Sequence, residues 1–199
     1  MNNATLINQT SGKTEYGTPE WIVQSAYYAM GGIDLDPAAA PWASARLKHL
    51  IQRSYTEDDN GLRLPWTCAD GRPARVWLNW PWSRQNNPLW VNKLLQEVND
   101  GNVAQACIIT PASTSEQWAQ PLLRNTVCFL SPRTNYYLPD GTEFKGFTKG
   151  SMVTYIGPHP LRFAYFFSGY GRVMMPTLSS EEHFFGMNGP ISSTYMVRM

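Results

Sequence analysis

Residues 79–82 have the groups needed to bind an amino group attached to a flat aromatic ring. The amide oxygen of Asn79 and the main-chain carbonyl oxygen of Trp80 are two acceptors for the hydrogens of such an amine. Because the lone pair of the amine is delocalised into its ring, these acceptors would help the nitrogen to become tetrahedral during alkylation. Trp82 offers a face on which the ring could stack. Pro81 disfavours the helical region for the residue before it, so the carbonyl of Trp80 should point outwards.

This segment follows a predicted strand, and polar residues end two further predicted strands. Asp34 and Asp36 lie at the end of one short apolar run, and Thr110 lies at the end of another. Such runs alternate with amphipathic stretches, which predicts an α/β fold with a mainly parallel sheet, helices on both faces and an antiparallel edge. Ligands bind beyond the carboxyl ends of the strands in such sheets. We therefore expect the polar strand ends to form one site.

Turn and capping residues set the limits of the predicted elements. Thr18 precedes Pro19 and Glu20, so we expect Thr18 to cap the first helix. The predicted strands cover 33–36, 74–79, 103–110, 126–130, 152–156 and 163–167. The predicted helices cover 19–30, 42–52, 89–98 and 115–123.

The composition fits one globular domain, with 43% hydrophobic and 16% charged residues in a chain of 199. We expect a flexible N-terminal segment over 1–15, a single domain over 16–178 and a C-terminal tail over 179–199. No apolar run is long enough to cross a bilayer, and residues 1–15 lack the pattern of a secretory signal. The expected location is therefore the cytoplasm, with no membrane partner.

Cysteine and histidine residues indicate neither a metal site nor a nucleophilic triad. Cys68, Cys107 and Cys128 have no pair at metal-ligand spacing, so we expect reduced core thiols. The three histidines are scattered, and no metal is expected. A net charge of +1 neither supports nor excludes a nucleic-acid partner.

Five motifs follow one another at compact intervals. They are Thr-Pro-Glu-Trp at 18–21, Asp-Leu-Asp-Pro-Ala at 34–38, Tyr-Thr-Glu-Asp-Asp-Asn-Gly-Leu at 55–62, Val-Trp-Leu-Asn-Trp-Pro-Trp-Ser at 76–83 and Ile-Thr-Pro-Ala at 109–112. This succession resembles the phage-type DNA adenine-N6 methyltransferases, small Dam-like enzymes of bacteriophages and prophages. The resemblance implies a Rossmann-like class I methyltransferase fold, S-adenosylmethionine as cofactor, and methylation of adenine N6 on a base flipped out of double-stranded DNA.

The segment over 79–82 departs from the family pattern at two positions. In the family, the strand that feeds the active site ends in Asn-Pro-Pro-Tyr, whose first residue and following carbonyl bind the amine and whose aromatic residue stacks on the base. The resemblance assigns those roles to Asn79, Trp80 and Trp82. Trp82 is a mild change, whereas Trp80 replaces a compact ring with a bulky indole. Because Pro81 still restrains the retained carbonyl, we expect an active, site-specific adenine methyltransferase.

Two other functions are compatible with these residues. Cytosine N4 or a modified base presents the same kind of amine, and only the shape of the pocket would separate it from adenine. A catalytically inactive protein of the same fold, which binds DNA or the cofactor in anti-restriction or regulation, would explain Trp80 differently.

The resemblance also implies where the cofactor binds. The turn after the strand at 33–36 would lie near the methionine part of S-adenosylmethionine, and the segment 57–61 would lie near its adenosine. Carboxylates suit an ammonium group and ribose hydroxyls. The expected cofactor-binding residues are Thr18, Asp34, Asp36, Pro37, Ala38, Glu57 and Asp59. From composition alone, these residues also fit a strand-ending turn and a solvated charge cluster.

Positive residues interleaved with aromatic ones indicate a DNA-binding surface. Arg84 comes just after the base-binding segment, and the stretch 133–149 mixes cationic with aromatic side chains. The expected DNA-binding residues are Ser83, Arg84, Arg133, Lys145 and Lys149. A solvated surface would contain the same residue types.

Overall fold

A seven-stranded sheet forms the centre of the protein in the computed structural model, which describes residues 16–145 and 149–177. The strands in these residues are β1 (Ile33–Asp36), β2 (Ile51–Ser54), β3 (Ala74–Leu78), β4 (Val103–Pro111), β5 (Thr126–Leu130), β6 (Tyr136–Tyr137), β7 (Glu143–Phe144), β8 (Ser151–Ile156) and β9 (Gly171–Met174). The helices are α1 (Glu20–Met30), α2 (Pro41–Leu47), α3 (Asn86–Asn99), α4 (Gln120–Leu123) and α5 (Pro160–Phe167), and a 3-10 turn over Gln117–Ala119 precedes α4.

The strands of the large sheet lie in the order β2-β1-β3-β4-β8-β5-β9. Strands β2, β1, β3 and β4 are parallel, and β8 pairs in the antiparallel sense with both β4 and β5. Strand β9 adds an antiparallel edge to β5. Five strands therefore run in one direction and two in the other, which confirms the predicted mainly parallel, Rossmann-like sheet. The short hairpin of β6 and β7 forms a separate pair.

Helices cover both faces of this sheet. One apolar cluster packs α1 and α5 against the face that carries Trp77 and Cys107. A second cluster packs α3 against the face that carries Val76 and Leu78. Within the described ranges, none of the helices combines the length and the apolar content that a membrane span requires.

The predicted helix over 42–52 is wrong in its second half. Helix α2 ends at Leu47, and the chain then forms β2 at the edge of the sheet. Ile51 pairs with Ile33, and Arg53 pairs with Leu35, in parallel register. This pairing joins residues that are distant in the chain, and it outweighs the local helical pattern.

The predicted strand over 163–167 is also wrong, because these residues belong to α5. Pro160 lies in the first turn of the helix, where a missing amide hydrogen costs nothing. Phe163 and Phe167 lie one turn apart and are both fully buried. The aromatic residues are typical of a strand, but their burial follows helical spacing. Strand β9, which the sequence does not predict, comes four residues later.

Other boundaries differ by smaller amounts. Helix α3 begins three residues earlier than predicted, and the predicted helix over 115–123 is reduced to the 3-10 turn and α4. Thr18 does not cap α1, because Pro19 takes the N-cap position and its ring offers no hydrogen-bond acceptor. The segments predicted over 1–15 and 179–199 lie outside the described residues.

Candidate active site

The carboxyl ends of β1 and β3 lie at a topological switch point. The chain passes from β1 to β2 on one side and then to β3 on the other side of β1. A crevice opens beyond the strand ends at such a point. Asp36 ends β1, and Asn79 follows β3. Because Leu35 pairs with Val76 and side chains alternate, Asp36 and Asn79 lie on the same face of the sheet.

The segment that precedes α1 orients the side-chain amide of Asn79. The Nδ2 atom donates to the hydroxyl oxygen of Thr18 at 2.9 Å and to the main-chain oxygen of Tyr16 at 3.4 Å. Thr18 is buried, so the hydroxyl that holds the amide is itself fixed. The nitrogen is directed towards this segment, which leaves Oδ1 on the opposite side, and no described residue donates a hydrogen bond to it. Asn79 therefore presents an oriented acceptor.

The indole of Trp80 is buried in the core on the face opposite to Asn79. It is 2% exposed and belongs to the apolar cluster that includes Trp66 and Trp90. Its Nε1 donates to Oδ1 of the buried Asn87 at 2.9 Å. Because successive side chains of an extended segment point to opposite faces, the core accommodates the bulky ring. No described residue donates a hydrogen bond to the main-chain carbonyl of Trp80.

Local hydrogen bonds fix the loop that follows Trp80. The main-chain oxygen of Pro81 accepts from the side chain of Asn86 at 3.0 Å, and the hydroxyl oxygen of Ser83 accepts from the amide of Asn86 at 2.9 Å. The main-chain oxygen of Ser83 accepts from the amide of Asn87 at 3.0 Å. Ser83 thus stabilises the start of α3.

Aromatic side chains surround the same strand end. Trp82 is partly buried and meets the ring of Tyr136 edge-on, with 5.5 Å between the ring centroids. The ring of Tyr16 lies 6.2 Å from that of Tyr136 and 5.2 Å from that of Phe144. Burial raises the pKa of Tyr136, whose hydroxyl lies 2.7 Å from that of Ser151. Tyr136 is therefore neutral at physiological pH and lies against Trp82.

The carboxyl group of Asp36 is buried at the end of β1. It accepts one hydrogen bond from a described residue, the amide of Ala38, at 3.0 Å from Oδ1. Burial raises the pKa of Asp36 from 3.8 to about 7, and the bond from Ala38 offsets only part of this effect. A carboxylate in this position favours a cationic ligand.

The loop over 56–61 packs against the turn after β1. A Cβ at Gly61 would lie 1.9 Å from the main-chain oxygen of Pro37, so a larger residue would force the two segments apart. Oδ2 of Asp59 accepts from the amide and the hydroxyl of Thr56 at 2.8 and 3.0 Å, and these bonds lower the pKa of Asp59. Glu57 is exposed on this loop. The two predicted cofactor segments thus lie in contact.

Asp34 differs from Asp36 because its carboxylate forms a salt bridge with Arg75. Oδ2 accepts from the main-chain amide and Nε of Arg75 at 2.9 and 2.7 Å, and Oδ1 accepts from Nη2 at 2.7 Å. The bonds from Arg75 hold the pKa of Asp34 below its usual value. Asp34 therefore ties β1 to β3, and Asp36 is the carboxylate that remains for a ligand.

The residues predicted to bind DNA lie in loops at the same edge of the sheet as Asn79. Ser83 and Arg84 follow β3, and Arg133 follows β5. Lys145 and Lys149 precede β8, which runs in the opposite direction and so begins at this edge. All five are exposed, whereas Phe147 between the two lysines lies outside the described residues.

No metal-binding cluster of histidine, cysteine and acidic residues is present in the described part of the chain. Cys68, Cys107 and Cys128 are buried free thiols, as predicted. Burial raises the pKa of Cys128 to about 11. These thiols are therefore unsuited to act as nucleophiles.

A comparison with protein families identifies the family of this chain. The family described as DNA N-6-adenine-methyltransferase (Dam) matches residues 8–162, which is most of the chain. The protein belongs to the Dam family. Curated proteins yield no significant match. The Dam-family range includes all the predicted catalytic and cofactor-binding residues, and the match confirms the family that the ordered motifs resemble.

Two residues of this Dam-family site have no signal in the sequence. Tyr16 contacts Asn79 from 63 positions away, and Asn87 holds the indole of Trp80. Thr18 is among the predicted residues, but its contact with Asn79 is not predicted. These roles depend on how the segment before α1 crosses the end of β3, which the spacing of motifs does not encode.

Proposed function

We propose that this Dam-family protein transfers the methyl group of S-adenosylmethionine to N6 of an adenine flipped out of duplex DNA. The oriented amide of Asn79 carries the proposal. Its nitrogen is held by Thr18 and Tyr16, so its oxygen is available as an acceptor at the switch point. An amine with two hydrogens is the ligand that such an oxygen and a neighbouring carbonyl fit.

In this proposal, Oδ1 of Asn79 and the carbonyl oxygen of Trp80 accept the two hydrogens of the adenine amine. Both acceptors draw the nitrogen towards tetrahedral geometry and favour a lone pair directed at the methyl group. The N6 lone pair forms the new N–C bond, and the S–C bond of the donor breaks with its electron pair left on sulfur. The nitrogen then loses one proton to water, and no covalent bond to the protein is needed.

The burial of Trp80 supports activity despite its departure from the family pattern. An indole beside Asn79 would occupy the space of the target base. The ring instead packs with Trp66 and Trp90 and is held by Asn87. The flipped base is then free to lie against Trp82, with Tyr136 supporting that ring from its edge.

The residues at the end of β1 fit the cofactor. S-adenosylmethionine supplies an activated methyl group on a positively charged sulfur. The buried carboxylate of Asp36 would accept hydrogen bonds from the ammonium group of the cofactor. The small side chain of Ala38 would let the main chain approach the cofactor closely. Glu57 and Asp59, on the loop packed against Pro37, would bind the ribose hydroxyls.

Duplex DNA would run along the carboxyl edge of the sheet. Arg84, Arg133, Lys145 and Lys149 are exposed in the loops at this edge, and their charges suit phosphate contacts that position the duplex. These contacts would hold the backbone while the target base enters the crevice beside Asn79.

Identification of the methylated nucleoside tests the proposal. Duplex DNA is incubated with the protein and S-adenosylmethionine carrying a deuterated methyl group, digested to nucleosides and separated by mass. We expect labelled N6-methyl-2′-deoxyadenosine with the wild type and none with Asn79→Ala. Asn92→Ala, on the exposed side of α3, is the matched control and should behave as wild type. Labelled N4-methyl-2′-deoxycytidine would show that cytosine is the methylated base. Binding of DNA and cofactor without transfer would identify a catalytically inactive protein.

A further inference from the structure

A pocket of about 250 Å³ lies at the carboxyl end of β5, outside the residues proposed to bind the amine and the cofactor. Its walls combine aromatic rings with polar and charged groups. The lining residues include Trp21, Arg133, Asn135, Tyr137, Glu143 and Tyr170. The volume suits one small ring system, since pockets for larger ligands begin near ~300 Å³.

This pocket adjoins the segment that orients the side chain of Asn79. Pro19, which lines the pocket, directly follows the Thr18 that holds the amide. Tyr137 also lines the pocket and exchanges two main-chain hydrogen bonds with Gly17, at 2.8 and 2.9 Å.

The sheet order places the pocket on the DNA side of the site. Strands β1 and β2, with the proposed cofactor residues, lie on one side of β3. Strands β4, β8, β5 and β9 lie on the other side, and the pocket is at the end of β5. A base bound there does not compete with the cofactor.

The aromatic wall of the pocket offers a surface for a base. The rings of Trp21 and Tyr170 lie 4.4 Å apart between centroids and are 37% and 38% exposed. Exposed aromatic rings stack on nucleobases, whatever the base. The wall therefore provides affinity for a base but no choice among bases.

Selection between bases needs the polar edge of the pocket. Nδ2 of Asn135 donates to Oε1 of Glu143 at 3.1 Å, which orients the amide. Oε2 of Glu143 lies 3.6 Å from the ammonium of Lys145. Oδ1 of Asn135 and the carboxylate of Glu143 then present acceptors to a ligand. Arg133, which also lines the pocket, has the charge to bind the adjoining phosphate.

We propose that this pocket binds the base of the nucleotide next to the target adenine and selects a base whose major-groove edge carries an exocyclic amine, adenine or cytosine. This inference rests on the proposed function, because it needs a DNA substrate at Asn79. Asparagine pairs with the amine edge of adenine, and glutamate accepts from the amine of cytosine. The carbonyl oxygens of guanine and thymine would instead meet the acceptors of Asn135 and Glu143.

A library of duplexes with randomised positions around one adenine tests this proposal. The kcat/KM of methyl transfer is compared between duplexes by sequencing the methylated fraction. We expect the wild type to prefer adenine or cytosine at one flanking position by roughly 5- to 100-fold. Asn135→Ala should remove most of this preference, whereas Asn92→Ala should retain it.

Glu143→Gln provides a change of specificity that misfolding cannot produce. Its new amide hydrogens would donate to the carbonyl oxygens of guanine or thymine, so the flanking preference should move towards these bases by roughly 5-fold or more. An unchanged preference in both Asn135→Ala and Glu143→Gln would overturn the assignment of the pocket.

Selection by binding alone separates this inference from the proposed function. The same library is enriched for duplexes that the wild type retains in the presence of S-adenosylhomocysteine. A flanking preference that Asn135→Ala loses would support the pocket even if no methyl group is transferred, a result that would refute only the proposed chemistry. Absence of any DNA binding by the wild type would overturn both.

Discussion

Replacing Asp36 with asparagine should stabilise the free protein above neutral pH and weaken its binding of the cofactor. The wild-type carboxyl group is buried and accepts one hydrogen bond, from Ala38. Asparagine retains an acceptor for that bond and cannot ionise. The variant therefore isolates the free-energy cost of a buried negative charge that a ligand would relieve.

The magnitude follows from the pKa of Asp36. Its folded-state pKa is raised from 3.8 to about 7, so the folded protein holds this proton more tightly than the unfolded chain does. Stability accordingly falls as the pH rises from about 4 to about 7, and the full cost is present above pH 7. The difference between the two pKa values corresponds to a loss of at most ~4 kcal/mol in the free energy of unfolding. Because the amide hydrogens of asparagine are themselves buried, we expect a gain of about 2 kcal/mol at pH 8.

Urea unfolding of the free protein at pH 4.5 and pH 8 measures this effect. The Asp36→Asn variant should exceed the wild type in free energy of unfolding by about 2 kcal/mol at pH 8 and fall about 1 kcal/mol below it at pH 4.5, where the folded-state carboxyl group is protonated. Asp59→Asn is the control with the opposite sign, because bonds from Thr56 lower the pKa of the exposed Asp59. Calorimetry at pH 8 should show roughly 10- to 100-fold weaker binding of S-adenosylmethionine by Asp36→Asn, as expected for loss of a charged hydrogen bond.

Two outcomes are incompatible with a buried, ligand-binding carboxylate at Asp36. A stability difference between Asp36→Asn and the wild type that does not grow with pH would show that the carboxylate is not destabilised by burial. An unchanged affinity for S-adenosylmethionine would show that Asp36 does not bind the ammonium group.

Three further substitutions test how the site is supported. Thr18→Val removes the acceptor that orients Asn79, so kcat for methyl transfer should fall about 10-fold with KM for DNA unchanged. Thr18→Ser, which retains the hydroxyl, should have the kcat of the wild type. Equal losses in both variants would contradict this positioning role. Asp34→Asn should lower the free energy of unfolding by about 3 kcal/mol at pH 7 in urea titration, since it leaves Arg75 without its carboxylate, while calorimetric cofactor affinity stays unchanged. Trp80→Phe should lower the free energy of unfolding by about 2 kcal/mol, because Asn87 loses its hydrogen-bond donor in the core. Methyl transfer by this variant should continue in a radiolabel assay. Complete loss of transfer in a folded protein would place the indole in the active site.

Local sequence patterns predict the strands that form the switch point. The runs that end at Asp36 and Asn79 are short, apolar and bounded by turns, and both form central parallel strands. The resulting α/β architecture follows from their alternation with helices. The position of Asn79 at a strand end is therefore a local property of the sequence.

The errors arise where contacts distant in the chain decide the structure. Ile51 forms a strand because it pairs with Ile33, although the residues before it are helical. Phe163 and Phe167 have strand-forming side chains, but both are buried on one side of a helix against the sheet. Neither outcome is visible in a window of neighbouring residues.

The candidate site shows the same limit at the level of single contacts. The side-chain acceptor of Asn79 and the main-chain carbonyl of Trp80 are recognisable from the sequence, because their types and spacing match an amine-binding motif. The burial of Trp80 depends on Asn87, and the orientation of Asn79 depends on Tyr16 and Thr18. These partners are set by the path of the segment before α1 and by the start of α3, which the motif does not specify.

Single-turnover methyl transfer by Asn79→Ala, measured together with its affinity for S-adenosylmethionine, tests whether Asn79 holds the target amine. We expect a loss of at least about 100-fold in the rate of transfer to DNA, with cofactor affinity within a few-fold of wild type. A transfer rate equal to that of the wild type would contradict the assignment of Asn79 as the acceptor that holds the target amine.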